Sequence, residues 1–286
     1  MRSQWYDGIV VGVDGSAESM AAVDWAALTA DRHSARLTVL GAYATVPSSR
    51  YGVVGIDGTD LAADARDAVE QAVARLDGAR PGGYQVDQRV VLGDPVDMLA
   101  RRSTSSDLVV VGRRGLAARG RTVLGSVSGA LAASAHGPVA VVPAGARAGD
   151  PRRVVVGVSR GNADPQLDVA FAEAQQRSCP LEVVHVLKPD PLMDVDLTGP
   201  EPQQGTAERE GVQHQVARWS GKYPAVAATV RFRTANPVEA LLDDVGPEDL
   251  VVVGGQPHSP VVGRIRYSIS DGVLRRSPAT VIVVHE

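Results

Sequence analysis

The sequence is poor in residue types on which several functional classes depend. Its 286 residues include one cysteine, Cys179, so no disulfide can form within the chain. The two lysines, Lys188 and Lys222, lie outside the glycine-rich loops, which excludes a Walker-type phosphate loop. Hydrophobic runs are short and broken by glycine. We therefore expect neither a membrane span nor a signal peptide, and we expect a cytoplasmic protein.

Patterns typical of metal-binding or catalytic sites are also missing. The six histidines show no ligand spacing such as HxxxH. The carboxylates of Asp190, Asp194 and Asp196 lack the glycine turn and terminal glutamate of a calcium loop. No G-x-S-x-G or C-x-x-C motif occurs. We therefore assign no catalytic residue and no metal-ligating residue.

The charge balance narrows the choice of partners. The formal net charge is -4 and the pI is about 5.9, which argues against general attraction to nucleic acid or to an anionic membrane. A local basic segment is still compatible with binding of a phosphate group. The mildly acidic net charge therefore favours a small ligand or a protein partner over nucleic acid or a membrane surface.

The chain contains two copies of one pattern. YDGIVVGVDGS at 6–16 returns as PRRVVVGVSRG at 151–161, and DLVVVG at 107–112 returns at 249–254. From the third predicted strand onward the copies align at a constant offset of 142 positions, so that residue 107 aligns with residue 249. This duplication predicts two domains, 1–146 and 151–286, joined by a Gly-, Ala- and Pro-rich linker.

Short apolar runs alternate with helical patterns within the first copy. The predicted strands are Ile9 to Val13, Leu37 to Ala42, Val86 to Leu92, Leu108 to Val111 and Val139 to Val142. Helices are predicted around 19–33, 61–76, 95–102 and 125–135. This alternation predicts two tandem doubly wound α/β domains, each a five-stranded parallel sheet flanked by helices. Ligands of such sheets bind beyond the carboxyl ends of the strands where the winding reverses, here near Asp14 and Gly112.

A glycine- and arginine-rich stretch follows the fourth strand. Gly112 and Gly115 are separated by two residues, nine more lead to Gly125, and the sequence from Gly125 to Ser128 begins the next predicted helix. A helix N-terminus favours anionic oxygens, and glycine lets the backbone approach a phosphate closely. Arginines 113, 114, 119 and 121 would supply counter-charge. The alternative is that the glycines only make turns, that Ser126 or Ser128 is a helix cap, and that the arginines belong to a solvated loop.

The spacing G112-x-x-G115, nine residues, G125-S126 resembles the ATP-binding motif of the universal stress protein family, and IVVGVDGS resembles that family's first strand and turn. The resemblance extends over both copies. It implies an ATP site in the first copy, with Mg²⁺ accompanying the phosphates. At the end of the first strand Gly12, Val13 and Asp14 would line the nucleotide, with Asp14 near adenosine. At the end of the second strand the backbone of Ala42 would form hydrogen bonds with adenine. Residues beside the ribose and phosphates would be Val111, Gly112, Arg113 and Gly115, and the phosphate chain would be held by Gly125, Ser126, Val127 and Ser128. The alternative role for Asp14 is that of a helix cap.

The second copy departs from this motif. At the same offset Gly115 becomes Pro257 and Gly125 becomes Tyr267, while Asp14 is replaced by Ser159 in the first turn. Proline removes an N–H group, and tyrosine places a ring where close backbone approach is needed. We therefore expect the second copy to bind ATP weakly or not at all.

Three functions remain open. The first is an ATP-binding stress-response regulator that acts through an unidentified protein partner. The second is a slow ATP-hydrolysing or adenylate-forming enzyme, and the third is a nucleotide-independent scaffold. The apolar last strand of each copy, PVAVVP and TVIVVH, lies at a sheet edge in this topology, so the copies are expected to pair within the chain or in a homodimer.

Overall fold

The computed structural model describes residues 6–44, 58–79, 84–103, 107–116, 124–159, 161–187, 203–255 and 268–285. Both copies have the predicted α/β fold. The first contains β1 (Gly8–Val13), α1 (Ala17–His33), β2 (Arg36–Tyr43), α2 (Gly58–Ala79), β3 (Val86–Leu92), α3 (Pro95–Ala100), β4 (Asp107–Gly112), α4 (Ser126–Ser134) and β5 (Val139–Val142). The second contains β6 (Val154–Val158), α5 (Asp164–Gln176), β7 (Leu181–Val186), α6 (Gln203–Lys222), β8 (Ala228–Arg233), α7 (Pro237–Leu242), β9 (Leu250–Gly254), α8 (Ile269–Arg276) and β10 (Thr280–Val284).

The local sequence accounts for the ends of the helices. Helix α1 begins after Ser16, whose side chain accepts a hydrogen bond from the N–H of Ser19. Helix α3 begins with a proline after Asp94, and α7 begins with a proline after Asn236, each cap accepting from the first turn. Within the described ranges no helix is long and apolar enough to cross a bilayer.

All ten strands form one sheet in the order β3-β2-β1-β4-β5-β10-β9-β6-β7-β8. Within each copy every pairing is parallel. From β1 the chain winds outward to β2 and β3, and it then crosses back to β4 on the other side of β1. The winding therefore reverses between β1 and β4, and the carboxyl ends of these two strands form the crevice where ligands bind in this class of fold.

The two copies join through their last strands. Strands β5 and β10 pair antiparallel, with Val141 opposite Val281 and Val139 opposite Val283. Both strands are buried along their whole length. The predicted pairing within the chain is thus present, and it covers two apolar edges that would otherwise invite association.

A buried polar network also joins the copies. The Glu173 carboxylate on α5 accepts hydrogen bonds from the Tyr6 hydroxyl at 2.9 Å and from Arg177 Nε at 2.7 Å. His33 Nε2 lies 3.3 Å from the same carboxylate. Arg177 donates to the Thr29 hydroxyl of α1 at 3.0 Å. The Glu173 and His33 side chains are fully buried, so these contacts hold α1 and α5 together away from solvent.

Replacement of Glu173 should destabilise the fold. Glu173→Gln keeps the side-chain shape but leaves the Arg177 guanidinium buried without its counter-charge, which costs about 3–5 kcal/mol. We expect a loss of this size in the free energy of unfolding measured with urea. The control is Asp24→Asn, which removes the exposed Asp24–Arg75 pair and should cost less than about 1 kcal/mol. Equal losses in the two variants would contradict this role for the network.

The same carboxylate should set an acid limit to stability. Burial acts to raise the pKa of Glu173, but the charges of Arg177 and His33 outweigh burial and hold the pKa well below its usual range. A carboxyl whose pKa is lower in the folded than in the unfolded state stabilises the fold. This stabilisation is fully present above the unfolded pKa of roughly 4.3 and is lost progressively as the pH falls below that value. The difference in unfolding free energy between wild type and Glu173→Gln should therefore be constant above about pH 5 and shrink below about pH 4. A difference that persists unchanged at lower pH would contradict the assignment.

Candidate functional site

The turn after β1 and the loop after β4 meet at the point where the winding reverses. The Asp14 carboxylate connects them, because Oδ1 accepts from the N–H of Ser16 at 3.0 Å and Oδ2 accepts from the N–H of Leu116 at 2.8 Å. The N-cap of α1 is Ser16, so the alternative role of Asp14 as a plain helix cap does not apply. Asp14 instead ties the two halves of the crevice together.

Asp14 is held in its charged form. Partial burial acts to raise the pKa of the carboxyl, but hydrogen bonds involving Ser16, Leu116 and Ser19 outweigh burial and lower the pKa below its usual value. A carboxylate has about four lone-pair positions, and two are occupied by these backbone N–H groups. The side chains of Ser16 and Ser19 contribute further hydrogen bonds to the carboxylate.

Glu18 forms a second connection between the same segments. Its carboxylate accepts from the backbone N–H of Arg114 at 2.6 Å and from Arg114 Nε at 2.7 Å. The Glu18 side chain is 7% exposed and the Arg114 side chain 41% exposed, so the carboxylate is shielded from water and the guanidinium remains partly solvated. The loop after β4 is thereby docked on the first turn of α1.

The glycines in this region serve the packing of the protein itself. A Cβ atom on Gly112 would lie 2.7 Å from the carbonyl carbon of Glu18, so only glycine lets α1 approach β4 this closely. A Cβ atom on Gly115 would collide with the Asp14 carboxylate. One on Gly12 would meet Leu99 at 2.9 Å. The motif glycines bring the two segments together, and this close packing forms the crevice.

The start of α4 is attached to the β4 loop through Arg113. The carbonyl of Arg113 accepts from the N–H of Gly125 at 2.8 Å and from the Ser128 hydroxyl at 2.7 Å. Ser128 is buried, and its hydroxyl stabilises the loop after β4 through this hydrogen bond to Arg113. Gly125 is the N-cap of α4 and provides no side-chain hydrogen bond. Neither Ser126 nor Ser128 is the helix cap.

The other predicted site residues differ in what they can offer a ligand. Val13 and Val111 are buried with the core, so they contribute backbone only. Ser126 is exposed and Val127 is half-buried in the first turn of α4. The β1–β2 ladder ends at Gly41, whereas β2 continues beside β3 to Tyr43. The backbone of Ala42 therefore has no β1 residue opposite it and faces the crevice as a strand edge.

Both arginines of this stretch that the structure describes, Arg113 and Arg114, have partners within the protein. Arg114 pairs with Glu18, and Arg113 Nη1 donates to the carbonyl of Ser277 in the second copy at 3.0 Å. Arg119 and Arg121 lie outside the described residues. The described arginines thus hold the loop and the interface, and they do not form the solvated loop of the alternative interpretation.

The second copy has a different crevice. Ser159, at the place of Asp14, is exposed, and a Cβ atom on Gly254 would collide with the Gln166 side chain. His185 is opposite Val158, in the register position that Gly41 has opposite Val13. Its Nε2 lies 2.8 Å from the Glu208 carboxylate. Glu208 also lines a cavity of about 330 Å³, together with Ser159, Gly161 and Gln215 among others. Pro257 and Tyr267 lie outside the described residues.

Sequence reasoning missed Glu18 and the backbone N–H of Leu116. Glu18 lies in the first turn of α1, where an acidic residue is favourable to the helix dipole. From the sequence, its position therefore indicates only that it stabilises the helix. Its contact with Arg114 spans 96 positions. This contact can be inferred only from the fold, in which β1 and β4 are adjacent in the sheet.

Comparison with known proteins identifies the family. The universal stress protein family model matches residues 6–143 and 151–285. A universal stress protein of Mycolicibacterium smegmatis is 35% identical, with 97% of this chain and 96% of that protein covered. Universal stress protein Rv1996 of Mycobacterium tuberculosis is 32% identical, with 96% and 94% covered. The crystal structure of a universal stress protein from Archaeoglobus fulgidus superposes with a TM-score of 0.72 at 19% identity, covering 98% of each chain.

The fold and the crevice define a doubly wound α/β protein with a repeated domain. The chain belongs to the universal stress protein family and contains two regions that match it. The family resemblance expected from the glycine motif is confirmed.

The packing role of Gly112 leads to a stability prediction. Gly112→Ala places a Cβ atom against the backbone of α1, and overpacking of this kind costs about 1–3 kcal/mol. We expect a loss of that size in the free energy of unfolding without any ligand present. Gly149→Ala is the control, because its Cβ atom meets open space, and it should change stability by less than about 0.5 kcal/mol. Wild-type stability in Gly112→Ala would show that α1 does not pack against this glycine as described.

Proposed function

We propose that the first copy binds ATP and that this binding regulates the shape of the protein or its choice of a protein partner in the stress response. The observation that carries the proposal is the start of α4. The start of this helix is hydrogen-bonded to the loop after β4 at Arg113, and its N-cap, Gly125, provides no side-chain hydrogen bond. The first-turn N–H groups that every helix leaves unpaired are thus not capped by that residue.

A phosphate group fits this position. Helices α1, α3 and α7 are capped by the side chains of Ser16, Asp94 and Asn236, whereas the N-caps of α4, α5 and α8 provide no side-chain hydrogen bond. At α4 an anion can take the same role, favoured by the N–H groups and the helix dipole. The Ser126 hydroxyl is exposed at the first helical position. It is able to donate a further hydrogen bond to a phosphate oxygen.

An adenosine group fits the other side of the crevice. The Asp14 carboxylate is held in its charged form at this side of the crevice, and a carboxylate is an acceptor that suits the hydroxyl donors of a ribose. The strand edge at Ala42 offers backbone groups to an adenine ring. The described residues contain no cluster of three metal-binding side chains. We therefore propose that Mg²⁺ binds chiefly through the phosphate oxygens, as it commonly does with nucleotides.

The electrostatics favour regulation over rapid catalysis. An efficient general base has a pKa near the working pH, whereas hydrogen bonds lower the pKa of Asp14 below its usual value despite its burial. Glu18 is committed to Arg114. We propose that any hydrolysis is slow, that the protein acts in the cytoplasm where ATP is supplied, and that the second copy, which has Ser159 in place of Asp14, does not bind ATP.

A charge placed at the start of α4 should test the phosphate position. Ser126→Asp puts a carboxylate where the phosphates are proposed to bind, and like charges in contact cost enough to weaken Mg-ATP binding by at least about tenfold. The same carboxylate suits the helix dipole, so stability should be unchanged or slightly higher. The measurement is calorimetric titration of the full chain with Mg-ATP.

Ser126→Asn is the matched control, because it has nearly the same shape as aspartate without the charge. We expect its affinity for Mg-ATP to stay within about threefold of wild type, because the neutral asparagine amide can still donate a hydrogen bond to a phosphate oxygen. Equal affinities for Ser126→Asp and Ser126→Asn would exclude a phosphate at the start of α4.

A further inference from the structure

Arg113 belongs to the ATP crevice by its backbone. Its N–H donates to the carbonyl of Val142 at 2.8 Å. Its carbonyl accepts from Gly125 and Ser128 at the start of α4. These three hydrogen bonds fix the Arg113 backbone directly beside the helix end that is proposed to hold the phosphates. A phosphate bound there lies within reach of a flexible arginine side chain.

The side chain of Arg113 points to the other copy. Nη1 donates to the carbonyl of Ser277 at 3.0 Å, and Ser277 is the C-cap of α8. The carbonyl end of a helix favours a cation. Arg113 therefore connects the start of α4 in one copy with the end of α8 in the other.

The guanidinium is only partly satisfied in this position. Its Nε is buried and has no hydrogen-bond partner among the described residues. Burial lowers the pKa of Arg113, Glu18 opposes the shift and Arg114 adds to it, which indicates a charge with incomplete compensation. Arg114, by contrast, is paired with Glu18 through both its backbone and its side chain. Arg113 is therefore bound more weakly than Arg114, because its side chain donates to one neutral carbonyl whereas Arg114 is paired with a carboxylate.

We propose that Arg113 is a switch between the two copies, leaving the carbonyl of Ser277 for a phosphate oxygen when ATP binds and so releasing the end of α8. This inference rests on the proposed ATP site. A phosphate offers the guanidinium a full negative charge and paired acceptors, whereas a carbonyl offers one neutral acceptor. Because coupling between sites is reciprocal, any change that strengthens the Arg113–Ser277 contact should weaken ATP binding.

A second contact between the copies, made by His285 of the second copy with the first, provides a control for the Arg113 variants. His285, after β10, has Nδ1 at 2.9 Å from the carbonyl of Gly137 and Nε2 at 3.0 Å from the carbonyl of Ala132. These carbonyls lie at the end of α4, away from the proposed phosphates. His285→Ala therefore weakens the same interface without altering the start of α4.

The first measurement is hydrogen exchange of the wild-type full chain, followed in peptides that cover α8. The switch predicts faster exchange of the last turn of α8, near the N–H of Ser277, when Mg-ATP is added. Adenosine lacks phosphates and should leave the exchange of α8 unchanged. Unchanged exchange with saturating Mg-ATP would overturn the switch.

The second measurement is titration of variants with Mg-ATP. Arg113→Gln removes the charge-assisted hydrogen bond to phosphate and should weaken binding about tenfold. Arg113→Lys keeps the charge and should give an intermediate affinity, while His285→Ala should bind as wild type does. Exchange of α8 should no longer respond to Mg-ATP in Arg113→Gln.

The outcomes separate this inference from the proposed function. Binding of Mg-ATP by wild type with equal affinity for Arg113→Gln would overturn the switch and leave the ATP site in place. An equal loss of affinity in His285→Ala would also overturn it, because the interface as a whole would then be responsible. Absence of Mg-ATP binding by wild type would overturn both proposals.

Discussion

The antiparallel pairing of β5 with β10 is the contact on which the arrangement of the two copies depends. It joins two five-stranded parallel sheets into one sheet of ten strands and buries both apolar edges. With those strands paired, α1 lies against α5 around Glu173, and α4 lies close to α8. The other contacts between the copies described above are those of the network around Glu173, of Arg113 with Ser277, and of His285 with the carbonyls of Ala132 and Gly137.

The crevice of the first copy is held together mainly by polar contacts between distant segments. Asp14 binds the backbone at Leu116, Glu18 binds Arg114, and the carbonyl of Arg113 binds Gly125. These contacts hold the start of α4 against the loop that follows β4. The glycines matter because they permit this close packing, on which the proposed anion site depends.

Regular structure was largely predictable from the sequence. The predicted strands 86–92 and 139–142 agree with β3 and β5, because buried parallel strands are short apolar runs with clear ends. The predicted start of α1 was two residues late, since the capping side chain is Ser16. The family was predictable as well, because glycine spacing and the strand and helix around it are local features.

Contacts between distant residues were not predictable. Tyr6 and Glu173 are 167 positions apart, and Arg113 and Ser277 are 164 apart. Nothing in local periodicity indicates that such residues meet. The glycines of the motif were expected beside phosphates, but a local pattern does not distinguish close approach to a ligand from close approach to α1. Both require the absence of a Cβ atom.

The nucleotide content of the freshly purified protein tests the central claim most directly. The protein is denatured, and any released small molecule is identified by chromatography and mass and is quantified against the chain. An ATP site confined to the first copy predicts adenine nucleotide at up to one equivalent per chain, restored to one equivalent by incubation with Mg-ATP. Two equivalents would contradict a second copy that does not bind ATP. No nucleotide before or after incubation would contradict the ATP site itself.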